Sequence, residues 1–162
     1  MQAVTEAEIR TCFVNCSKGE AKRLNLPRGW PDWPWEDVDF LGWPDPAGSG
    51  RAYLVIPQED ELVGVALRHE PNSSRKSQMC AICLTTHSRG GVLLMTAAKT
   101  GDAGRRGSSI GTYMCADLGC SLYVRGKKQP ALGLQYREDL STADKIDRLR
   151  GNLAAFVTAL AG

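Results

Sequence analysis

Four of the six cysteines fall into two close pairs whose spacing suits a metal site. Two residues separate Cys80 from Cys83, four separate Cys115 from Cys120, and about thirty lie between the pairs. Thiolates are soft anionic ligands, and four of them close the tetrahedral shell of a structural zinc ion, with Zn–S distances of roughly 2.3 Å. A C-x2-C pair folds as a tight knuckle, whereas the wider pair needs a longer turn. The pattern predicts one four-cysteine zinc site.

Spacing alone leaves other states of these cysteines open, namely a cluster of reduced buried thiols or disulfides. Six cysteines in a reducing compartment favour metal over disulfides. His69 and His87 are the only histidines, and either could replace a cysteine ligand, although four cysteines already suffice. Cys12 and Cys16 lie four residues apart on a predicted helix, where a ligand or redox role competes with simple packing as small hydrophobes.

The composition is that of a globular protein, and 162 residues predict one domain with a small helical appendage. Hydrophobic residues make up 43% and charged residues 23%, which is ordinary for a soluble chain. There is no apolar run of about eighteen residues to span a membrane. The N-terminus lacks the basic and apolar regions of a signal peptide. We therefore expect a cytoplasmic protein with no membrane partner.

The net charge of +2 hides a strong asymmetry along the chain. Residues 1–67 carry six Lys or Arg and eleven Asp or Glu, whereas residues 68–137 carry eleven and three. The positive charge thus coincides with the cysteine pairs. A focused positive field favours an acidic partner, such as RNA or an acidic protein face, and ordinary solvated loop charge is the alternative.

The N-terminal part of the chain combines a predicted helix with an irregular segment. Residues 5–18 are predicted to be helical, with Thr5 and Glu8 as a capping box. Gly19 is expected to end or interrupt this helix, with a short continuation over residues 21–24. Residues 27–50 contain all four tryptophans and five of the eight prolines. Because proline removes backbone donors and fixes φ, we expect an ordered loop there. Its indoles either pack on the domain or form a partner-facing patch.

The middle of the chain is predicted to be β-structure. The predicted strands cover residues 51–57, 61–69, 92–98 and 110–114. Residues 99–109 are expected to be a loop. A knuckle, a hairpin and a second ligand pair at the start of a turn or short helix make a treble-clef zinc finger at about residues 79–126. Metal binding would supply its folding energy, on the order of 10 kcal/mol.

The last predicted element is a helix capped by Ser141 or Thr142, with Asp144 in its first turn. Its apolar stripe consists of Ile146, Leu149, Leu153, Phe156, Val157 and Leu160. The predicted fold class is α+β, with antiparallel hairpins, a four-cysteine treble clef and a packed C-terminal helix. We divide it into an N-terminal helical segment, 1–26, and an α+β domain, 27–162.

Three stretches of sequence carry a family resemblance. They are Asp39–Trp43, Met79–Cys83 and Gly111–Ser121, the last continuing into Val124–Lys127. With them the chain resembles the FusB-type elongation factor G-binding proteins, specifically their C-terminal treble-clef zinc-finger (FBP) domain. The resemblance extends over about residues 38–160. The cysteine motifs with their flanks are fairly specific, whereas four-cysteine spacing alone occurs in many unrelated fingers.

The resemblance implies a non-enzymatic binding protein with a structural zinc ion on Cys80, Cys83, Cys115 and Cys120. Members of the family bind elongation factor G through this domain, and the fusidic acid resistance members help release the drug-stalled factor from the ribosome. Those members carry a separate helical bundle before the domain. Here only about the first twenty-five residues are available for such a bundle, enough for one helix, so factor binding is expected and drug resistance is left open.

We consider three functions from the sequence. The first is an adaptor that binds elongation factor G. Its contact residues, chosen by charge and position, are Arg105, Arg106, Tyr113, Tyr123, Arg125, Lys127 and Lys128. The second is an RNA-binding zinc finger associated with the ribosome, which the same basic segment supports. An enzyme, with a small-molecule substrate, is disfavoured, because four thiolates leave no open zinc position and no nucleophile elbow, P-loop or dinucleotide motif is present.

Overall fold

A computed structural model describes residues 1–71, 76–131 and 138–161. A five-stranded antiparallel sheet lies at its centre, in the order β1-β2-β3-β6-β7, beside a two-stranded ribbon of β4 and β5. The strands are β1 Leu41–Pro44, β2 Arg51–Gln58, β3 Glu61–His69, β4 Gln78–Met79, β5 Thr86–His87, β6 Val92–Ala98 and β7 Ser109–Cys115. The helices are α1 Glu6–Thr11, α2 Lys18–Arg23, α3 Gly101–Arg105, α4 Cys120–Val124 and α5 Thr142–Leu160. The predicted α+β class is confirmed.

Two hairpins build most of the sheet. In the first, β2 and β3 pair along their whole length around a two-residue turn, Glu59–Asp60. In the second, β6 and β7 pair from Val92 with Cys115 to Ala98 with Ser109. Successive strand residues point to opposite faces, so each hairpin supplies side chains to both sides of the sheet. The second hairpin also delivers Cys115 to the metal centre.

The sheet is packed on one face throughout and on the other over β1 to β3. One face, with the cysteines, packs against the buried side of α5, and Leu149 and Leu153 belong to the same buried cluster as Leu54 and Met95. The opposite face of β1 to β3 is covered by the N-terminal segment and the tryptophan-rich loop. Buried residues of that second cluster are Val4, Ile9, Leu24, Leu41, Trp43, Tyr53 and Val55. Each cluster buries apolar surface that would otherwise be exposed to water, which stabilises the fold.

Helix α5 confirms its prediction. The Ser141 hydroxyl accepts a hydrogen bond from the Asp144 amide, so Ser141 is the N-cap. The amide of Asn152 donates to the Ile82 carbonyl at 3.0 Å, which ties the helix to the cysteine knuckle. At the other end the Thr100 amide donates to the Leu160 carbonyl at 2.9 Å. The helix therefore joins the metal centre to the far end of the second hairpin.

The predicted single helix over residues 5–18 is wrong. The capping box of Thr5 with Glu8 is present, but α1 ends at Thr11. Beyond it Phe13 forms a parallel bridge with Gly64 of β3, and the Val14 amide donates to the Gly64 carbonyl at 3.0 Å. Pairing with the sheet replaces helical hydrogen bonds at this point.

A second capping box, Ser17 with Glu20, then starts α2. Gly19 lies inside α2 and does not end a helix. These two short helices occupy the predicted segment 1–26, whose standing as a separate unit stays a prediction.

Two further predictions need correction. The segment 27–50 is mostly irregular, with two short 3₁₀ turns, but it also contains strand β1. Trp43 on that strand is buried, and its indole nitrogen donates to the Asn25 carbonyl at 2.8 Å. The predicted loop over 99–109 contains helix α3, whose first residue, Gly101, has a φ of +65°. That angle is one that only glycine adopts readily.

Candidate metal centre

The four paired cysteines come together from three elements of the finger. Cys80 and Cys83 lie in the knuckle between β4 and β5, Cys115 ends β7 and Cys120 begins α4. All four side chains are buried, and their sulfur atoms lie within 4.8 Å of one another. The Sγ atoms of Cys80 and Cys120 are 3.7 Å apart, and those of Cys83 and Cys115 are 3.5 Å apart.

These separations fit a zinc ion better than disulfides. A tetrahedral ion with Zn–S distances of roughly 2.3 Å places its sulfurs about 3.8 Å apart. A disulfide would need about 2.05 Å, and all six cysteines are free. Among the described residues, the cluster contains four sulfurs at tetrahedral spacing and no carboxylate or imidazole. This is the donor set of a closed structural zinc site.

The charges of the cysteine cluster also favour a bound cation. Hydrogen bonds from the thiols of Cys115, Cys120 and Cys83 lower the pKa of Cys80. Contacts with Cys115, Cys80 and Cys83, together with burial, raise the pKa of Cys120. One thiolate is therefore stabilised, whereas further ionisation brings like charges together in a buried place. A divalent cation would neutralise those charges and let all four sulfurs bind as thiolates.

The backbone of the knuckle fixes the first cysteine pair. The Cys80 amide donates to the Thr85 carbonyl, and the Leu84 amide to the Cys80 carbonyl, both at 2.9 Å. The Ala81 amide donates to the Tyr113 carbonyl at 2.8 Å, which docks the knuckle on the outer edge of β7. The first pair is thereby held against the strand that carries Cys115.

Polar groups lie beside the sulfurs, and one of them, His87, was identified from the sequence only as a replacement ligand. The Ile82 amide donates to the Cys80 sulfur at 3.4 Å. His87 Nε2 lies 3.2 Å from the Cys115 sulfur, and its ring stacks edge-on against Tyr123 at 4.7 Å. His87 thus lies beside the cluster as a hydrogen-bond partner, a position from which such groups orient metal ligands. His69 ends β3 and is not part of the cluster.

One buried carboxylate connects the centre to the rest of the fold. Asp39 precedes β1, and its side chain is 1% exposed. Arg125, just after α4, donates to both of its oxygens at 2.7 and 3.2 Å, and Arg150 of α5 donates at 2.9 Å. Burial alone would raise the pKa of Asp39, but the hydrogen bonds and charge of Arg125 outweigh it and lower the pKa.

The predicted partner-binding residues fall into two groups. Arg105, Arg106 and Tyr113 lie along the second hairpin, the first two at the α3 end and Tyr113 near the metal centre. Arg105 pairs with Asp102 on the surface, Arg106 is exposed, and the Tyr113 side chain is largely uncovered, at 46% exposure. This group presents its side chains to solvent.

The second group lies on or just after α4, and its members contact carboxylates of the protein itself. The Tyr123 hydroxyl donates to Asp117 at 2.9 Å, and Lys128 pairs with the same carboxylate at 2.6 Å. Lys127 pairs with Asp37 at 2.6 Å, and Arg125 holds Asp39. Each of these residues thus has a partner within the protein, and their contact with another protein stays a prediction.

Cys12 and Cys16 lie away from the centre. Cys12 is half-buried, and its thiol donates to the Ile9 carbonyl at 3.2 Å. Burial raises the pKa of Cys12 to about 11 and also raises that of Cys16. Both therefore remain protonated at neutral pH, which suits packing better than ligand or redox chemistry.

Comparison with known proteins identifies the fold family. The sequence model of one protein family, the FBP C-terminal treble-clef zinc-finger, matches residues 8–160. The chain belongs to this family. The four buried cysteines of the FBP domain bind one structural zinc ion, as their spacing predicted. The reduced, metal-free cluster is thereby set aside.

Other comparisons add little to the family assignment. No curated protein sequence matches the chain. A solved structure of the fusidic acid resistance protein FusC is similar at 23% identity and a TM-score of 0.49. The similarity covers 62% of this chain and 45% of that one, so it spans less than half of the FusC chain. Within the described residues, no helix of the FBP domain is long and apolar enough to cross a bilayer.

Proposed function

We propose that this protein is a non-enzymatic, cytoplasmic adaptor that binds elongation factor G through the second hairpin of its zinc finger. The observation that carries the proposal is the exposed pair Leu94 and Tyr113, held beside a closed metal centre. Family membership and the sequence resemblance to FusB-type factor-binding proteins support the choice of partner. Four thiolates leave a zinc ion no open position for water or substrate, which supports a structural metal and a binding function.

The apolar pair is formed by the strand register. Leu94 of β6 lies directly opposite Tyr113 of β7, so both side chains project from the same face. They are 47% and 46% exposed, respectively. Met79, which precedes the knuckle docked on Tyr113, is 52% exposed. Exposed aromatic and Met side chains are enriched at protein interfaces, and aromatic anchors often dominate the binding energy.

Basic residues flank this apolar pair on the same hairpin. Arg105 and Arg106 lie at the end of α3, where the chain turns from β6 into β7. Four strand residues, or roughly 13 Å, separate the start of β7 at Ser109 from Tyr113. An apolar centre with a basic rim suits an acidic protein face, because rim charges steer association and select the partner.

The test is a calorimetric titration of purified elongation factor G with the zinc-loaded protein at low salt. Tyr113→Ala should weaken binding about thirtyfold or more, the loss expected of an interface anchor of about 2 kcal/mol. Leu140→Ala is the matched control, because Leu140 is 44% exposed outside the hairpin. A wild-type protein that binds no factor while retaining its zinc would refute the proposal.

The finer proposal is that binding promotes release of the factor from the ribosome. Adding the protein to ribosomes loaded with elongation factor G should then lower the fraction of factor that sediments with them. Tyr113→Ala should leave that fraction unchanged. If the wild type and Tyr113→Ala lower the sedimenting fraction equally, release does not depend on binding through this hairpin, and the finer proposal is wrong.

A further inference from the structure

We infer that a second site, a groove on the sheet face opposite α5, binds the phosphate backbone of single-stranded RNA through Arg23, Arg51 and Arg68. The groove has a volume of about 670 Å³ and lies between α2, the sheet and the turn from α3 into β7. It shares no residue with the zinc centre or with the apolar pair Leu94 and Tyr113, so it does not rest on the proposed function.

Two of the arginines are placed against each other by the sheet. Arg51 of β2 lies directly opposite Arg68 of β3, which puts their Cα atoms about 5 Å apart. Like charges in directly opposed positions destabilise a sheet. Arg23, from the last turn of α2, lines the same groove. All three side chains are exposed, and the ion pairs within the described part of the chain include none of them.

The two carboxylates of the groove are engaged locally. Glu20 accepts hydrogen bonds from the amide and hydroxyl of Ser17 at 2.9 and 2.8 Å in the capping box of α2. Asp45 accepts from the Asn25 amide at 2.9 Å and the Ala47 amide at 3.0 Å, and also from the Ser49 hydroxyl. Arg51 also donates a hydrogen bond to the Tyr53 hydroxyl, and the hydrogen bonds from Ser17 together with the charges of Arg51 and Arg68 lower the pKa of Glu20. Three guanidinium groups still face only two carboxylates, which leaves an excess of positive charge.

The floor of the groove is preformed. The side-chain amide of Asn15 donates to the carbonyls of Ala66 and Ala98 at 2.9 and 3.2 Å, and its oxygen accepts from the Ala66 amide at 2.8 Å. It bridges β3 and β6 where their direct pairing has ended, since that pairing covers only Arg68 with Thr96 and His69 with Met95. The arginines therefore project from a rigid surface.

The lining selects the class of phosphate ligand. Arginine forks match phosphate oxygens bidentately and cannot lose their charge. The one aromatic residue in the lining, Tyr53, is buried at 5% exposure and offers no face on which a base could stack. A free nucleotide would lack a base pocket, whereas a polynucleotide backbone needs only successive cations along a groove. Because only the phosphate backbone would be contacted, we expect binding with little sequence preference.

The experiment is a fluorescence anisotropy titration of a labelled oligouridylate with the zinc-loaded protein between about 50 and 200 mM salt. Arg51→Gln/Arg68→Gln should weaken binding at least about tenfold at low salt. Each lost phosphate contact lowers the slope of log affinity against log salt by about 0.7, so the double variant should lose about 1.4. Arg28→Gln/Arg89→Gln removes the same charge from exposed positions outside the groove and should change both quantities much less.

Two further readouts separate the alternatives. Removing a like-charge pair should leave the thermal midpoint of the double variant at or above that of wild type, so weaker binding would not reflect unfolding. The double variant should also bind elongation factor G normally. The proposal is overturned by a wild-type protein that does not bind the oligouridylate, by equal losses in the control, or by inorganic triphosphate binding as tightly with the same arginine dependence.

Discussion

Asp39 and Arg125 form a two-pronged ion pair that links residues 86 positions apart in the sequence. The carboxylate is 1% exposed and the guanidinium 12% exposed, so water screens the pair little. Arg125 follows α4, the helix that begins with the zinc ligand Cys120. Because Arg150 of α5 also reaches Asp39, this carboxylate joins the segment before β1, the metal centre and the C-terminal helix.

Replacing Asp39 by Asn should lower the free energy of unfolding by about 3 kcal/mol, because it leaves a buried guanidinium without its counter-charge. Urea unfolding of the zinc-loaded protein measures the loss. Asp37→Asn is the matched control, since Asp37 pairs with Lys127 at the surface, with side chains 27% and 55% exposed. The control should lose less than about 1 kcal/mol. Equal losses would show that burial of the pair is unimportant.

The contribution of the Asp39–Arg125 pair should be lost in acid. Arg125 holds the pKa of Asp39 below its usual range, so the pair contributes its full stability above the unfolded value of about 3.9. The contribution is lost as pH falls through the lowered, folded pKa. The stability difference between wild type and Asp39→Asn should thus be constant between about pH 5 and 6. At higher pH the Met1 ammonium, which also interacts with Asp39, loses its proton and changes the difference. A difference that changes between about pH 5 and 6 would contradict the account.

Cys83→Ser should abolish stable zinc binding and unfold the finger. Structural zinc supplies on the order of 10 kcal/mol to the folding of such modules, so the loss of one thiolate should greatly lower the unfolding midpoint. Metal content by mass spectrometry and circular dichroism test both effects. Cys12→Ser should retain one zinc per chain, because Cys12 lies outside the cluster. A Cys83 variant that keeps its zinc and its midpoint would contradict the assigned ligands.

Gly64→Ala should destabilise the contact between the N-terminal segment and the sheet. A Cβ at Gly64 would lie 2.7 Å from the Cys12 sulfur and 2.9 Å from the Phe13 ring. Overpacking of this kind costs about 1–3 kcal/mol. Gly151→Ala is the control, since its Cβ would meet nothing within 4 Å and alanine favours a helix by up to about 1 kcal/mol. Unfolding in urea should move the two variants in opposite directions.

Local signals predicted the elements whose structure depends on near neighbours. The C-x2-C spacing of Cys80 and Cys83 predicted the knuckle. The apolar, β-branched residues of 51–57 and the alternation in 61–69 predicted the hairpin of β2 and β3. The cap at Ser141 with the apolar stripe predicted α5. The exposed face of Leu94 and Tyr113 was only partly foreseen. Tyr113 was selected by position, but its cross-strand partner follows from the register of β6 and β7.

Contacts between distant residues explain what the sequence did not reveal. The helix over 5–18 failed because Phe13 pairs with Gly64, about fifty residues away. Strand β1 lay hidden among tryptophans and prolines, and its pairing with β2 decides its conformation. The sequence suggested that Arg125 is a free surface cation, because no residue near it in the chain indicates that it pairs with Asp39. Opposed arginines such as Arg51 and Arg68 likewise become apparent only once strands are in register.

The central claim is that a structural zinc centre holds the surface that binds elongation factor G. The most direct measurement is a titration of the factor with the zinc-loaded protein, with the chelated protein, and with the chelated protein after zinc is restored. We predict binding in the first and third cases and none in the second. Equally tight binding by the metal-free chain, or no binding by the zinc-loaded chain, would contradict the claim.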